Sequence, residues 1–350
     1  MLRFTRVLEH LKLYLRSNIK NYHKEYINKI NKNKVNMKVS IIGAGNVGAT
    51  AAMKIASEGF VKKLVLLDVK EGVAEGKAMD IMQSLMMGES ETIVTGTTGD
   101  YSKTANSDVI VITSGVPRKP GMTREELVGV NSKVMTMVLD GATKYSPDAI
   151  FVVVSNPMDT MTQMVVNYLG TENANRVIGM GGALDSARFK YNIFMKVREK
   201  VGYLKPRNIQ NCWVIGGHGD TTMIPLVNKV TVLGNQLSTF LTEEEINEVV
   251  EATMKGGATL TKMLGTSAWE APAQGITEVV KSITFDEWNT IPSSVYHPEV
   301  GLCIGDLVAV GGTGWDWNYD GHLENKSYMK EYAHKVAEST EAIRKVNAAL

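Results

Sequence analysis

The chain has 350 residues, 44% of them hydrophobic and 21% charged, a globular composition long enough for one large domain or two of ordinary size. Its formal charge of +1 is unevenly placed: residues 1–36 carry nine Lys/Arg against Glu9 and Glu25 alone, which leaves the body of the chain at −6. A mildly acidic body gives no reason to expect nucleic-acid binding, and no run of eighteen apolar residues offers a membrane span.

In chain order, the leader 1–36 lacks the apolar core and small-residue cleavage site of a secretory signal. Leu2, Val7, Leu8, Leu11 and Leu15 follow a helical spacing, but three Arg and one Ser are few for a mitochondrial presequence. The expectation is that residues 1–36 lie outside the fold and that Met37 opens it, with a cytoplasmic location favoured and a mitochondrial one the alternative. Two cysteines, Cys212 and Cys303, fit free thiols in a reducing compartment.

MKVSIIGAG (37–45) predicts a buried strand, followed by a helix from about Asn46 to Gly59. KLVLLDV (63–69) predicts a second strand, and EGVAEGKAMDIMQSLMM a helix carrying Met79, Met82, Met86 and Met87, suited equally to core packing or to a partner subunit. TIVTGTT (92–98) and DVIVITSG (108–115) follow as strands, then a loop, a long helix to about Tyr145, and a fifth strand in AIFVVVSNP (149–157). Unbroken apolar strands alternating with helices predict an α/β doubly wound parallel sheet over residues 37–180. Beyond it the rhythm changes. Helices are expected at 182–199, from Thr242, at 271–283 and from Ser327, with strands in NCWVIGG, VNKVTVLG, 293–296 and 307–310, and a loop at 311–322. Residues 181–350 are therefore expected to form an α+β catalytic or substrate domain.

Three constellations carry chemistry. Gly43-Ala44-Gly45-Asn46-Val47-Gly48 is a GxGxxG turn that follows a strand, opens a helix and has Asp68 twenty residues beyond it. Such a turn lets the backbone approach a pyrophosphate, and the acid accepts ribose hydroxyls while repelling a 2′-phosphate, so NAD is preferred to NADP. The segment GVPRKPGMTREEL (115–127) sets Arg118 and Arg124 on a Pro/Gly-punctuated loop, with Thr123 as the expected N-cap of the next helix. Two planar cations there suit a small substrate with more than one anionic group, although alone the plainer reading is a solvated basic loop. Finally, His218 stands among glycines in IGGHGDT, and Asp185 and Arg188 lie three apart in LDSAR, on one helix face. An ion pair confined to that helix is the plain reading; the functional one has Asp185 orienting His218 and Arg188 binding a carboxylate.

GAGNVGAT, GVPRKPGMTREEL, VVVSNP, LDSARF and GGHGDT together, in this order, resemble the lactate/malate dehydrogenase family from Met37 to near Ala309. The resemblance implies NAD as cofactor and His218 as proton acceptor with Asp185 as its partner. It implies that Arg188 binds the C1 carboxylate, that Arg124 polarises the reacting oxygen, and that Asn156 contacts substrate and nicotinamide. Asn131, Val154 and Ser155 match cofactor contacts, and Ser267 aligns less securely with a pocket residue. Arginine at 118, where lactate enzymes of the family typically carry glutamine, implies malate and oxaloacetate as substrates, with lactate or another 2-hydroxy acid the alternative, in a homodimer or homotetramer. The short-chain dehydrogenase pattern Tyr-x-x-x-Lys is absent, and no His/Cys cluster points to a metal.

Overall fold

The computed structural model describes residues 37–117, 124–317 and 332–350. The expected N-cap Thr123, the start of the last helix near Ser327 and the leader lie outside the described residues. The first half runs β1 (Lys38–Ile42), α1 (Asn46–Glu58), β2 (Lys63–Asp68), α2 (Val73–Leu85), β3 (Ile93–Thr98), β4 (Val109–Ile112), α3 (Arg124–Tyr145), β5 (Ile150–Val153), α4 (Met158–Leu169) and β6 (Val177–Gly179). These six strands pair in parallel in the order β3-β2-β1-β4-β5-β6, the doubly wound order of dinucleotide folds. Val109, Ile110, Val111 and Ile112 are all fully buried, which explains why β4 reads as an unbroken apolar run rather than an alternating one.

The second half begins with α5 (Gly181–Val201), then short strands β7 (Ile209–Gln210), β8 (Val214–Gly216), β9 (Met223–Pro225), β10 (Thr231–Val232) and β11 (Asn235–Gln236). Helices α6 (Glu243–Met254), α7 (Gly256–Leu264) and α8 (Glu270–Phe285) follow, then β12 (Asn289–His297), β13 (Leu302–Gly311), β14 (Gly314–Trp317) and α9 (Ala333–Asn347). Helix α6 starts at the predicted place because Thr242 and Glu245 form a reciprocal cap: the Thr242 hydroxyl accepts from Glu245 N at 3.3 Å, and the Glu245 carboxylate accepts from Thr242 N at 2.8 Å. Strands β12-β13-β8-β9 extend the parallel sheet antiparallel, joined to it at Ser294↔Gly179. Helix α8 packs Ile276, Val279, Val280 and Ile283 into the core shared with α1, so the second half is docked on the nucleotide-fold layer.

The expectation of a loop over 311–322 is corrected by the structure at its described residues; 318–322 lie outside them. Residues 314–317 form β14, and Gly311↔Gly314 pairing leaves Gly312–Thr313 as a two-residue hairpin turn. The physical reason is tryptophan burial. Trp315 is 8% exposed, its indole N–H donates to the Ala174 carbonyl at 2.8 Å, and its ring meets Trp317 edge-on. Of the four methionines of the second helix segment, Met79, Met86 and Met87 are exposed, whereas Met82 packs against the core. Cys212 and Cys303 are free and buried, and burial pushes the Cys212 thiol up to about 12. Among the described residues no helix is long and apolar enough to cross a membrane.

Candidate active site

The glycine turn sits at the C-terminal end of β1, where the chain passes into α1. Gly43 has φ +114°, a conformation L side chains avoid. A Cβ on Gly48 would lie 1.9 Å from the Gly43 carbonyl oxygen, so only glycine lets α1 pack against the turn. A Cβ on Gly45 would meet nothing within 4 Å, so the backbone there faces open space. No side chain caps α1 and no acid occupies its first turn, which leaves its N-terminal amides for an anion, with Asn46 and Val47 opening the helix. Asp68 ends β2 beside this turn. Its Oδ2 accepts from Ala44 N at 2.7 Å and its Oδ1 from Lys70 N at 2.9 Å, so the carboxylate also fixes the loop it neighbours. These residues fit a dinucleotide.

Across the sheet edge, α5 presents Asp185 and Arg188 one turn apart, and the segment after β8 presents His218. The Asp185 carboxylate is 2% exposed and bridges both cations: Oδ2 lies 2.7 Å from His218 Nδ1, and Oδ1 accepts from Arg188 Nη1 at 3.0 Å. A histidine held at Nδ1 by a buried carboxylate keeps Nε2 free for proton transfer. Burial alone would lower the His218 pKa, but the charge of Asp185 and its hydrogen bond outweigh that, and the net direction is upward. Arg188 lies under the Gly256-Gly257 pair that opens α7: a Cβ on Gly256 would come within 3.2 Å of its side chain. Its Nε is buried with no hydrogen-bond partner, a donor set left over for an anionic group.

Gly181 completes the histidine's seat. A Cβ there would fall 2.6 Å from His218 Cγ and 2.4 Å from Met158 Cε, so the imidazole packs directly on bare backbone. A cleft of about 300 Å³ opens beside His218, lined by Val116, Leu127, Asn156, Asp159 and Ser267 among others. Asn156 is exposed into it; Ser155 is buried, its hydroxyl donating to the Ser114 carbonyl, and Val154 is half-buried. Asn131 is 2% exposed and its amide is taken up by backbone: Oδ1 accepts from Val116 N at 2.8 Å, and Nδ2 donates to the Asn156 carbonyl at 2.6 Å. It therefore ties the start of the arginine loop to the SNP turn. Arg118 lies outside the described residues; Arg124 begins α3, and its side chain is not among those described.

One residue at the cleft escaped the sequence reading. Asp159, in the first turn of α4, is 8% exposed and accepts the His218 backbone N–H on Oδ2 at 2.7 Å. The signal was present as an acid two residues after Pro157, but nothing in the sequence places it beside the histidine.

A doubly wound nucleotide fold with a glycine turn after its first strand, together with a cleft holding an Asp-oriented histidine, defines a nicotinamide-dependent dehydrogenase. The family described as lactate/malate dehydrogenase matches the chain twice, its NAD-binding domain over residues 37–179 and its α/β C-terminal domain over 182–343. The chain belongs to the lactate/malate dehydrogenase family. A curated malate dehydrogenase of Bacteroides fragilis is 51% identical over 317 residues, 89% of this chain and 97% of that protein. Among solved structures, Cryptosporidium parvum malate dehydrogenase is 32% identical with a TM-score of 0.76, covering 89% of this chain and 99% of the other. The lactate dehydrogenase of the same organism, solved with lactic acid and nicotinamide adenine dinucleotide, is 29% identical with a TM-score of 0.75, covering 88% and 98%. The fold is thus shared by both substrate classes, and the choice between them rests on side chains.

Proposed function

We propose that this chain is an NAD-dependent malate dehydrogenase, catalysing (S)-malate + NAD⁺ ⇌ oxaloacetate + NADH + H⁺. The observation that carries the reading is the buried Asp185 bridge between His218 and Arg188, with the unpartnered Arg188 Nε beside it. A 2-hydroxy acid needs a base for its hydroxyl and a fixed cation for the neighbouring carboxylate, and this arrangement supplies both. NAD, when bound, supplies the hydride acceptor. In the oxidation, neutral His218 takes the hydroxyl proton on Nε2 while its Nδ1–H stays on Asp185. In the reduction, the imidazolium returns the proton to the carbonyl oxygen, with Asp185 stabilising its charge. Arg188 grips the C1 carboxylate, Arg124 stabilises negative charge on the reacting oxygen, and Arg118 pairs with the second carboxylate. Asn156 orients substrate against the nicotinamide. Gly43 to Gly48, Asp68, Val154 and Ser155 form the cofactor's seat, with Asn131 bracing it.

The division at residue 180 into a cofactor domain and a substrate domain is supported by the two family matches. Assembly as a homodimer or homotetramer is supported by the exposed Met79, Met86 and Met87 along α2. Buried free thiols fit the reducing cytoplasm. Replacing His218 by Asn tests the mechanism. The variant is expected to bind NADH as the parent does and to lose oxaloacetate reduction by more than about a hundredfold, since a positioned acid/base is worth ~10²–10⁴ in rate. Near-normal turnover would reject the assignment.

A further inference from the structure

The acid/base site contains a second buried carboxylate. Asp159 reaches from the first turn of α4 to the His218 backbone N–H, 2.7 Å from its Oδ2. Its other oxygen is buried without a hydrogen-bond partner. The Ser294 hydroxyl on β12 lies beside it, itself buried, yet makes no hydrogen bond of normal geometry. Among the described residues the remaining ionisable neighbours are Asp185 and Arg188 from α5, the Cys303 thiol from β13 and, at the cleft, Asp220.

Counting charge in this cluster gives Asp159 a task. Asp185 accepts from both Arg188 and His218, so one negative charge faces two potential cations. The Asp185–Arg188 pair is neutral in sum. When His218 gains its proton, the imidazolium is an uncompensated buried charge unless another anion is close, and such a charge is costly. Asp159 is that anion, fixed to the same histidine through the main chain. Burial raises the Asp159 pKa, and the His218 N–H it accepts and the charge of His218 offset that only in part, as expected for a carboxylate at ease only beside a cation.

We propose that Asp159 is a positioning residue of the acid/base, which fixes the His218 main chain and supplies the counter-charge its imidazolium lacks because Asp185 is shared with Arg188. This rests on His218 being the proton-transfer residue. Its consequence is that substrate binding and proton transfer are separated electrically: Arg188 can turn its charge to a carboxylate while the imidazolium keeps a full partner.

The test is Asp159→Asn, which keeps an oxygen to accept the His218 N–H and removes the charge. Malate oxidation needs neutral His218, so its kcat/KM rises through the histidine's titration. Without the counter-charge the imidazolium is less stable, and that acidic limb is expected to move down by about one pH unit. Oxaloacetate reduction, which needs the proton, should fall at alkaline pH. Asp159→Glu, which restores charge, should return the limb toward its original position even where kcat is low. A limb in Asp159→Asn that coincides with the parent's, whatever happens to kcat, overturns the proposal and leaves a merely structural residue. Should that variant not fold, the full-length parent labelled with ¹³C at aspartate Cγ decides it: the Asp159 carboxyl signal must shift as His218 titrates, and a signal indifferent to that titration overturns the proposal. Failure of the underlying reading is distinguishable, because it shows as His218→Asn retaining turnover.

Discussion

Asp185→Asn is the substitution that probes the site most sharply. The carboxylate is 2% exposed and receives His218 Nδ1 at 2.7 Å and Arg188 Nη1 at 3.0 Å. An amide has one acceptor oxygen for these two neighbours. A guanidinium can only donate, so the amide oxygen must face Arg188 and the NH₂ must face His218. The imidazole then has to accept at Nδ1, which puts its proton on Nε2 and removes the base needed for malate oxidation. The imidazolium of the reverse reaction loses a charge partner as well. At an effective dielectric of about 20, two unit charges about 4 Å apart interact by about 4 kcal/mol. Lost from the transition state, that is about a thousandfold in kcat. The proposed cofactor seat, the glycine turn and Asp68, is untouched, so NADH binding should persist. The assay is pre-steady-state oxidation of NADH with oxaloacetate, beside an NADH fluorescence titration. A variant with normal NADH affinity and kcat within threefold of the parent would refute the assignment of Asp185 as the histidine's partner.

Other expectations follow from the same geometry. Gly181→Ala would put a Cβ 2.6 Å from His218 Cγ, so kcat should drop about tenfold or more with NADH affinity kept; an unchanged kcat in steady-state assays would show the seat to be looser than described. Gly48→Ala would drive a Cβ to 1.9 Å from the Gly43 carbonyl, costing about 1–3 kcal/mol of stability and weakening NADH binding, read by thermal melting and titration. The His218 pKa is raised above its usual 6.5, since Asp185 outweighs burial. The acidic limb of malate oxidation should therefore lie above pH 6.5, with reduction falling across the same window; a limb below 6.5 would contradict the charge balance. Arg118→Gln should lower kcat/KM for oxaloacetate by about a hundredfold or more, because a dicarboxylate loses its second charged partner; equal efficiency would remove Arg118 as selector.

The nucleotide half was legible because its strands are buried on both faces and so read as apolar runs ended by glycine. Helix α4 was not anticipated, although Met158, Met161, Val165 and Val166 keep a helical spacing and are buried. It follows the SNP turn directly, and its Asp, Thr and Gln side chains blur the apolar face. Helix α7 opens on Gly256 and Gly257, poor helix formers, and buries no residue, so neither its propensity nor an apolar face announced it. The hairpin to β14 looked like loop because glycine dominates its sequence, while the burial of Trp315 that drives it is visible only in three dimensions. At the site, the glycine turn, Asp68, Asp185, Arg188 and His218 were named from motifs alone. Their neighbours were not. Asp159 is remote in sequence from the histidine it supports, and the bracing role of Asn131 depends on the Val116 and Asn156 backbone meeting across the sheet.

The direct comparison is of oxaloacetate and pyruvate reduction at equal NADH by the purified full-length chain. The proposed site, with Arg188 and Arg118 as a cation for each carboxylate, predicts kcat/KM for oxaloacetate at least about a thousandfold above that for pyruvate, since recognition groups left unpaired discriminate strongly. Equal efficiency for the two, or reduction of neither, would contradict a dehydrogenase built around a four-carbon diacid.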